Sequence, residues 1–244
     1  MTQNCRKNLM GGIIFFLYGS FGFSQSIDKS AYESFDAVIH IQNTGLANGT
    51  EYIEQHIVKN NKHKYLDTPE YRTGNVVYDG QPYYNVDLKY NVYDDLLLVR
   101  IPTTGGTAAF ELHKEKVCSF EINNSSFISV KESQKEKPRF HEILLEVDHL
   151  LLLKKHLKKA RKHLDQNFTY FEFEKDSPEY LLSLNGDYYE VNSRRSIRRI
   201  FPNQEEQIKD FYRTNSSLQK SDPDTFLTLL FKDLASSNSE LKIK

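Results

Sequence analysis

The sequence predicts an α+β protein, in which an antiparallel β-rich meander or barrel-like body precedes two or three short C-terminal helices. Short apolar runs are separated by turn signals about every eight to twelve residues, a spacing typical of an antiparallel meander. The last fifty or so residues instead carry apolar side chains at helical spacing. Tyr and Phe are abundant, with 15 and 16 copies, whereas Pro has only 7, a composition that favours folded β structure over disorder.

The clearest strand signal is a hairpin centred on Asp79-Gly80. Residues 75–78 form an apolar, β-branched run, and residues 81–86 return as its partner. The dipeptide between them suits a tight turn that needs two positive φ angles. The same criteria, with alternation of period two, predict further strands at residues 37–41, 51–58, 88–92, 96–101, 110–112, 117–122 and 127–130.

Residues 142–164 admit two interpretations. They can form one helix with its lysines mostly on one side, or a pair of strands, 140–146 and 150–156, joined by a turn at Asp148 and followed by a basic tail. We favour the strand pair, because the segments that follow, as far as residue 191, are strand-like and include the turn dipeptide Asn185-Gly186.

The C-terminal part carries helix start signals. Ser193 can cap a first turn, Asn203 with Glu206 resembles a capping box, and Asp222-Pro223 combines a cap with a proline at the first helical position. The apolar stripes that follow cannot be satisfied by two short isolated helices, so we expect these helices to pack on the β-rich part. The stripe residues are Ile208, Phe211, Tyr212, Phe226, Leu227, Leu230, Phe231 and Leu234.

The N-terminus predicts export. Arg6 and Lys7 precede an uncharged, mostly apolar run, residues 10–23, and small residues stand before a cleavage point at Gln25. These are the three parts of a secretory signal peptide. The run is shorter than the roughly 20 residues that span a bilayer, so an uncleaved anchor is the weaker alternative, and a buried N-terminal strand is weaker still. The predicted organisation is therefore a signal peptide (1–24), a β-rich domain (25–192), a helical segment packed on it (193–235) and a flexible tail (236–244).

Charge and cysteine content limit the function classes. Without Arg6 and Lys7 the chain has 30 basic and 33 acidic residues, which argues against a nucleic-acid binder. Cys5 precedes the apolar run and so is not the cysteine of a lipoprotein signal. It leaves with the signal, and Cys118 is then expected to be a lone, small core residue.

Several segments resemble a known group. The stretches 48–52, 74–83, 86–90 and 94–99, together with 185–189 and the final helices, look like a family of uncharacterised exported β-rich proteins of Bacteroidota. The resemblance covers most of the mature chain and implies a periplasmic or secreted protein. Its motifs are turn and strand residues, and it supplies no active site.

No motif predicts catalysis, a cofactor or a metal. His149, His156 and His163 recur every seven residues, which on a helix separates neighbours by about 10.5 Å, too far to share one zinc ion. Asp94-Asp95 is interpreted as a turn, since adjacent strand residues point to opposite faces. Two basic clusters are the candidate binding residues for an anionic ligand: Lys154, Lys155, Lys158, Lys159, Arg194, Arg195, Arg198 and Arg199. The favoured interpretation is that they are solvated faces of elements packed on their other side, and all four arginines are expected to face solvent.

The tyrosines at 83, 84, 90 and 93 are weighed between a platform for sugar stacking and cross-strand packing, and packing is favoured. Three function classes then remain open. The favoured one is a non-catalytic envelope module that binds a partner protein or supports an assembly. The others are a binder of glycan or another anionic envelope component, and a hydrolase whose site is assembled from scattered residues. No nucleic-acid partner and no stable membrane span after cleavage are expected.

Overall fold

The computed structural model describes residues 41–59, 61–131 and 137–237. Eleven strands form one antiparallel sheet in the order β1-β5-β4-β3-β2-β6-β7-β8-β9-β12-β13, and β10 and β11 form a separate two-stranded sheet. Helices follow the last strand, so the predicted α+β class is confirmed. The strands are β1 Thr50–Glu51, β2 Arg72–Tyr78, β3 Gln81–Asn91, β4 Leu96–Thr103, β5 Gly106–Glu111, β6 Val117–Ile122, β7 Ser125–Val130, β8 Arg139–Val147, β9 Leu150–Lys155, β10 Lys158–Leu164, β11 Thr169–Lys175, β12 Glu179–Leu184 and β13 Asp187–Glu190.

The hairpin turns lie where the dipeptides place them. Asp79 and Gly80 have φ angles of 51° and 80°, and Asn185 and Gly186 have 52° and 91°. Both pairs thus have the two positive φ angles that a tight hairpin needs, and the strands on either side pair directly across them. Asp95 also has a positive φ of 56°, in the turn between β3 and β4.

Residues 142–164 are strands. β8 and β9 pair across a turn at Asp148, whose φ is 50°, which confirms the strand interpretation. The segment after them is more ordered than a basic tail, because β10 continues the chain and pairs with β11 along its whole length.

The predictions for the N-terminal part of the chain agree less well with the structure. The predicted strand 37–41 lies outside the described residues except for Ile41, which begins a 3-10 helix, Ile41–Asn43. The predicted strand 51–58 is wrong, since only β1 pairs with β5 and the chain then leaves the sheet. The reason lies in Glu54 and His56, which turn toward the buried ammonium group of Lys64. Cys118, half-buried in β6, is disulfide-bonded in the full-length chain, and its partner falls outside the described residues. The expected lone cysteine refers to the chain after the signal has left with Cys5, so it stays a prediction.

Four α-helices follow β13 in the described part of the chain: α1 Arg194–Ile200, α2 Glu205–Thr214, α3 Ser216–Ser221 and α4 Pro223–Ser237. Ser193 caps α1 through a capping box with Ser196, and Asp222 caps α4 by accepting from the Thr225 amide at 3.0 Å. A 3-10 turn, Pro202–Gln204, precedes α2, and α3 was not predicted. In the described residues no helix is both long and apolar enough to span a membrane.

The helices pack on the C-terminal strands of the sheet, as their stripes predicted. On β9, Leu150 and Leu152 join the cluster of buried apolar residues that contains Phe226, Leu230 and Phe231 of α4. Leu153, the next residue along the strand, points to the opposite face and belongs to another cluster with Val130 and Leu181. The N-terminal strands have their own core, which includes Tyr78, Tyr90, Phe120, Phe127 and Phe140.

Two segments lie outside the large sheet. We call residues 52–59 and 61–71, between β1 and β2, the strap, and the hairpin of β10 and β11, residues 158–175, the arm. The strap binds the body through its Leu66 amide, which donates to the Tyr90 carbonyl at 2.9 Å. It binds the arm through amides of the arm: Phe171 donates to the Ile57 carbonyl and Phe173 to the Lys62 carbonyl, both at 2.8 Å.

Candidate functional site

The predicted lysine cluster does not form one surface. On β9, Lys154 pairs with Asp224 at the start of α4, whereas Lys155 is 2% exposed and pairs with Asp95. The difference follows from strand geometry, because successive side chains point to opposite faces. The prediction that Lys154 and Lys155 share one basic surface is therefore wrong.

The two lysines of the arm also differ from each other. The Lys158 ammonium donates to the carbonyls of His63 and Tyr65, both at 2.6 Å, and so fastens the arm to the strap. Lys159 is exposed and lies 3.8 Å from Asp176. Burial, with the neighbouring charge of Lys175, lowers the pKa of Lys158 to about 8.

The arginine cluster on α1 is half in solvent. Arg195 and Arg199 are exposed. Arg194 lies over the Tyr212 ring, 5.6 Å from its centroid, and Arg198 pairs with Glu205. The expectation that all four arginines face solvent is thus corrected for Arg194 and Arg198, which are partly covered by α2.

Asp95 is the centre of a buried ionic cluster that the sequence did not indicate. Its carboxylate accepts from Lys114 at 2.8 Å and from the Tyr90 hydroxyl at 2.7 Å, in addition to Lys155. Burial alone would raise the pKa of Asp95, but the two ammonium groups lower it below its ordinary value. Burial lowers the pKa of Lys155 to about 8, against the opposing effect of Asp95.

A second ionic cluster lies on the other residue of the same turn. Lys64, 2% exposed, lies 2.8 Å from Glu54 and 3.3 Å from Asp94, and its Nζ is 3.1 Å from His56 Nδ1. Tyr65 donates to the other oxygen of Glu54. Burial opposes the ionisation of Glu54, yet the hydrogen bonds from Lys64 and Tyr65 lower its pKa to about 2. These groups satisfy one another, and the cluster ties the strap to the turn between β3 and β4.

Ser125, Glu142 and His156 form a hydrogen-bonded chain whose order differs from that of a hydrolase. Ser125 Oγ donates to Glu142 Oε1 at 2.5 Å, and His156 Nε2 lies 2.6 Å from Glu142 Oε2. A catalytic triad needs the histidine between the nucleophile and the acid. Here the carboxylate stands in the middle, so the histidine is not placed to take the serine proton. No sequence signal brought these three residues together.

The other candidates have structural surroundings. His149 lies in the turn between β8 and β9, His156 follows β9, and His163 is on β10, so the three do not share a helical face. Within the described ranges, no group of three or more His, Cys, Asp or Glu residues could hold a metal ion. Tyr90 is 1% and Tyr83 8% exposed, as packing residues are, and Tyr93 lies edge-on to Phe173 of the arm with centroids 4.9 Å apart.

The arm and the strap carry most of the exposed apolar side chains. Of the seven large apolar residues that are exposed in the described part of the chain, Ile53, Ile57, Leu164 and Phe168 lie on these two segments, and Tyr93 packs against the arm. Leu164 is 86% exposed and Ile53 73%. Such a concentration marks an interaction site more often than scattered single residues do.

The cavity beneath the turn between β8 and β9 is small. It is lined by residues such as His149, Leu184 and Ala235, and its volume is about 10 Å³, room for one water molecule. The surface of the arm is therefore the candidate functional site.

Comparisons with known proteins found no relative of this chain. No family model, no curated protein and no solved structure matches it.

Proposed function

We propose that this is an exported, non-catalytic envelope protein that acts by binding another envelope component, with the arm as its binding element. The observation that carries the proposal is the exposure of Leu164 and Phe168 at the end of a hairpin that lies outside the main sheet. A hairpin with exposed apolar side chains at its tip can enter a partner without unfolding the body.

The arm is held firmly enough to present that tip. The strap pairs with it through backbone hydrogen bonds, and Lys62 of the strap binds Glu172 at 2.9 Å and Glu174 at 3.2 Å. His56 packs edge-on to Phe171 and Phe173, with centroids 4.6 and 5.5 Å apart. Preorganisation of this kind lowers the entropy lost on binding.

The arrangement of ionisable groups favours binding over catalysis. The groups with shifted pKa values, such as Lys155, Asp95 and Glu54, are paired with one another instead of lining an open cleft. The serine and histidine near Glu142 are in the wrong order for acyl transfer. A hydrolase assembled from scattered residues remains the alternative that activity assays would have to reveal.

Export is supported by the charged start, the apolar run and the small residues before Gln25, and by the resemblance to exported Bacteroidota proteins. The test is N-terminal sequencing and intact-mass measurement of protein from envelope fractions. We expect a chain that starts within a few residues of Gln25 and retains one cysteine, Cys118. A chain that starts at Met1 and holds both cysteines in a disulfide would overturn this part of the proposal.

Binding through the arm is tested by photo-crosslinking in the cells that make the protein. A photoreactive amino acid replaces Leu164 in one variant and Leu229, exposed at 43% on α4, in the control. We expect adducts from position 164 and few from position 229. Equal adduct yields from the two positions would show that the arm is not the binding element.

A further inference from the structure

We propose that the arm docks on an anionic membrane surface, with Leu164 and Phe168 entering the region between headgroups and acyl chains. This inference rests on the proposed function, because it names the ligand of the same arm.

The tip is built to keep its apolar side chains outward. The Asp165 amide donates to the Phe168 carbonyl at 2.9 Å, which closes the turn. Lys59 of the strap lies 4.5 Å from the centroid of the Phe168 ring and 3.0 Å from Asp165 Oδ2. One ammonium group therefore holds the ring and neutralises the carboxylate that would otherwise oppose an anionic surface.

The rest of the arm has an excess of positive charge. Its five cations outnumber its three acids, whereas the whole chain has a formal charge of −1. The cations are Lys158, Lys159, Arg161, Lys162 and Lys175, and the acids are Asp165, Glu172 and Glu174.

The three acids are already matched by ion pairs. Asp165 pairs with Lys59, Glu172 with Lys62, and Glu174 with Lys62 and with Arg161 at 3.1 Å. Lys162 and Lys175 are exposed and make no ion pair with the described part of the chain. Lys162, two residues before Leu164, lies beside the tip, and its charge is available to lipid phosphates at physiological ionic strength. Lys175 pairs with Lys158 at the base of the arm, about 20 Å from the tip, so it acts only at longer range.

The size of the apolar tip favours a membrane over a protein groove. A stable protein interface buries about 800 Å² on each partner, more than two side chains at a hairpin end provide. A membrane interface adds the transfer of each apolar side chain to the attraction of each nearby cation, so a small tip beside several lysines suffices for reversible attachment.

The experiment is co-sedimentation of the mature protein with vesicles. One set contains phosphatidylcholine alone, and the other contains phosphatidylcholine and phosphatidylglycerol in equal parts. We expect binding to the anionic vesicles only, and weaker binding when salt is added, because salt screens exposed charges. Equal binding to both sets, or to neither, would overturn the inference.

Variants locate the contact. The double variant Leu164→Ser with Phe168→Ser is expected to lower the partition coefficient about tenfold or more, since both apolar contacts are lost. Lys162→Gln should lower binding to anionic vesicles as well, and Lys175→Gln, at the base of the arm, should lower it less. The controls are Leu229→Ser and Lys232→Gln on α4, both exposed, which should leave binding unchanged. All six positions are exposed, and an unchanged urea midpoint verifies that each variant is folded. Similar losses in arm and control variants would contradict the assignment.

The two proposals fail separately. If vesicles do not bind but the photoreactive residue at position 164 yields a protein adduct, the membrane inference is overturned and the arm remains the binding element. If neither vesicles nor crosslinks engage position 164, the proposed function of the arm falls as well.

Discussion

Lys155 and Asp95 pair in the interior although they are 60 positions apart in the chain. Lys155 is the last residue of β9 and Asp95 lies in the turn between β3 and β4, so the contact joins the C-terminal and N-terminal parts of the large sheet. Tyr90 and Lys114 complete the carboxylate's partners. The neighbouring Asp94 pairs instead with Lys64 of the strap, so two adjacent residues of one turn bind two different parts of the molecule.

Removal of the Asp95 charge is expected to destabilise the fold strongly. Asp95→Asn leaves Lys155 buried without its counter-ion, and breaking a buried pair in this way costs about 3 kcal/mol or more. The control is Lys116→Met, which removes an exposed pair with Asp79 and should change stability little, because solvent screens the pair. Urea unfolding measures both free energies. Equal losses in the two variants would show that the buried Asp95 pair stabilises the fold no more than the exposed pair does.

Stability should rise between about pH 8 and pH 10. The folded-state pKa of Lys155 and of Lys158 is about 8, below the ordinary value of 10.5. In this window the unfolded chain binds more protons than the folded chain, so the free energy of unfolding increases with pH. Above about pH 10 the trend reverses, because burial raises the pKa of tyrosines such as Tyr90, which stay protonated only in the folded state. Lys155→Met should reduce the increase in the free energy of unfolding between pH 8 and pH 10. An unaltered increase in that variant would show that the pKa of Lys155 is not lowered.

Acid should destabilise the protein before its carboxylates are protonated. His141 is 1% exposed, and burial together with the charge of Lys155 lowers its pKa to about 4. Between pH 6.5 and pH 4 the unfolded state binds the proton and the folded state does not, so stability is lost as the pH falls through this window, by about 3 kcal/mol in total. Arg139 and Asp95 also act on this ring. Chemical unfolding at several pH values tests the loss, which His141→Gln should reduce.

The Asp79-Gly80 turn provides a test of backbone strain. A Cβ atom added at Gly80 meets nothing within 4 Å, so any cost of Gly80→Val comes from its φ of 80° and should exceed about 1 kcal/mol. Gly105→Val is the matched control, since that position has equally open space and no positive φ. Thermal melts of the two variants should differ by several degrees. Identical melting temperatures would mean that the turn tolerates a β-branched residue.

The contact between α4 and the sheet can be tested with two residues of that helix. Phe231 is fully buried against Phe201 and the strands, and Phe231→Ala should cost about 3–5 kcal/mol. Leu229→Ala, 43% exposed on the same helix, should cost far less. Truncation after Asn203 should then lower both solubility and melting temperature, because it uncovers Leu150 and Leu152. A truncated chain that melts like the intact one would show that the helices are not needed by the sheet.

The sequence by itself determined the features that depend on near neighbours in the chain. Asp79-Gly80 and Asn185-Gly186 fixed two hairpins, because few residue pairs accept two positive φ angles. Alternation of period two located most strands, and the stripes of α2 and α4 predicted that these helices would be buried. The strap was predicted less well, because residues 51–58 alternate like a strand. The contacts of Lys64 with Glu54 and His56, which turn this segment away from the sheet, cannot be predicted before the fold is known.

Only the tertiary structure decided what the charged residues do. Lys154 and Lys155 are identical neighbours in the sequence, yet strand geometry sends one to Asp224 and the other into the interior beside Asp95. Ser125, Glu142 and His156 meet because three strands are adjacent in the sheet, not because of any spacing. The arm depends equally on its surroundings, since its exposed tip is held by Lys59, which lies 106 positions from Asp165. An ion pair between distant residues leaves no local pattern, because either partner alone has the same composition as an ordinary solvated surface charge.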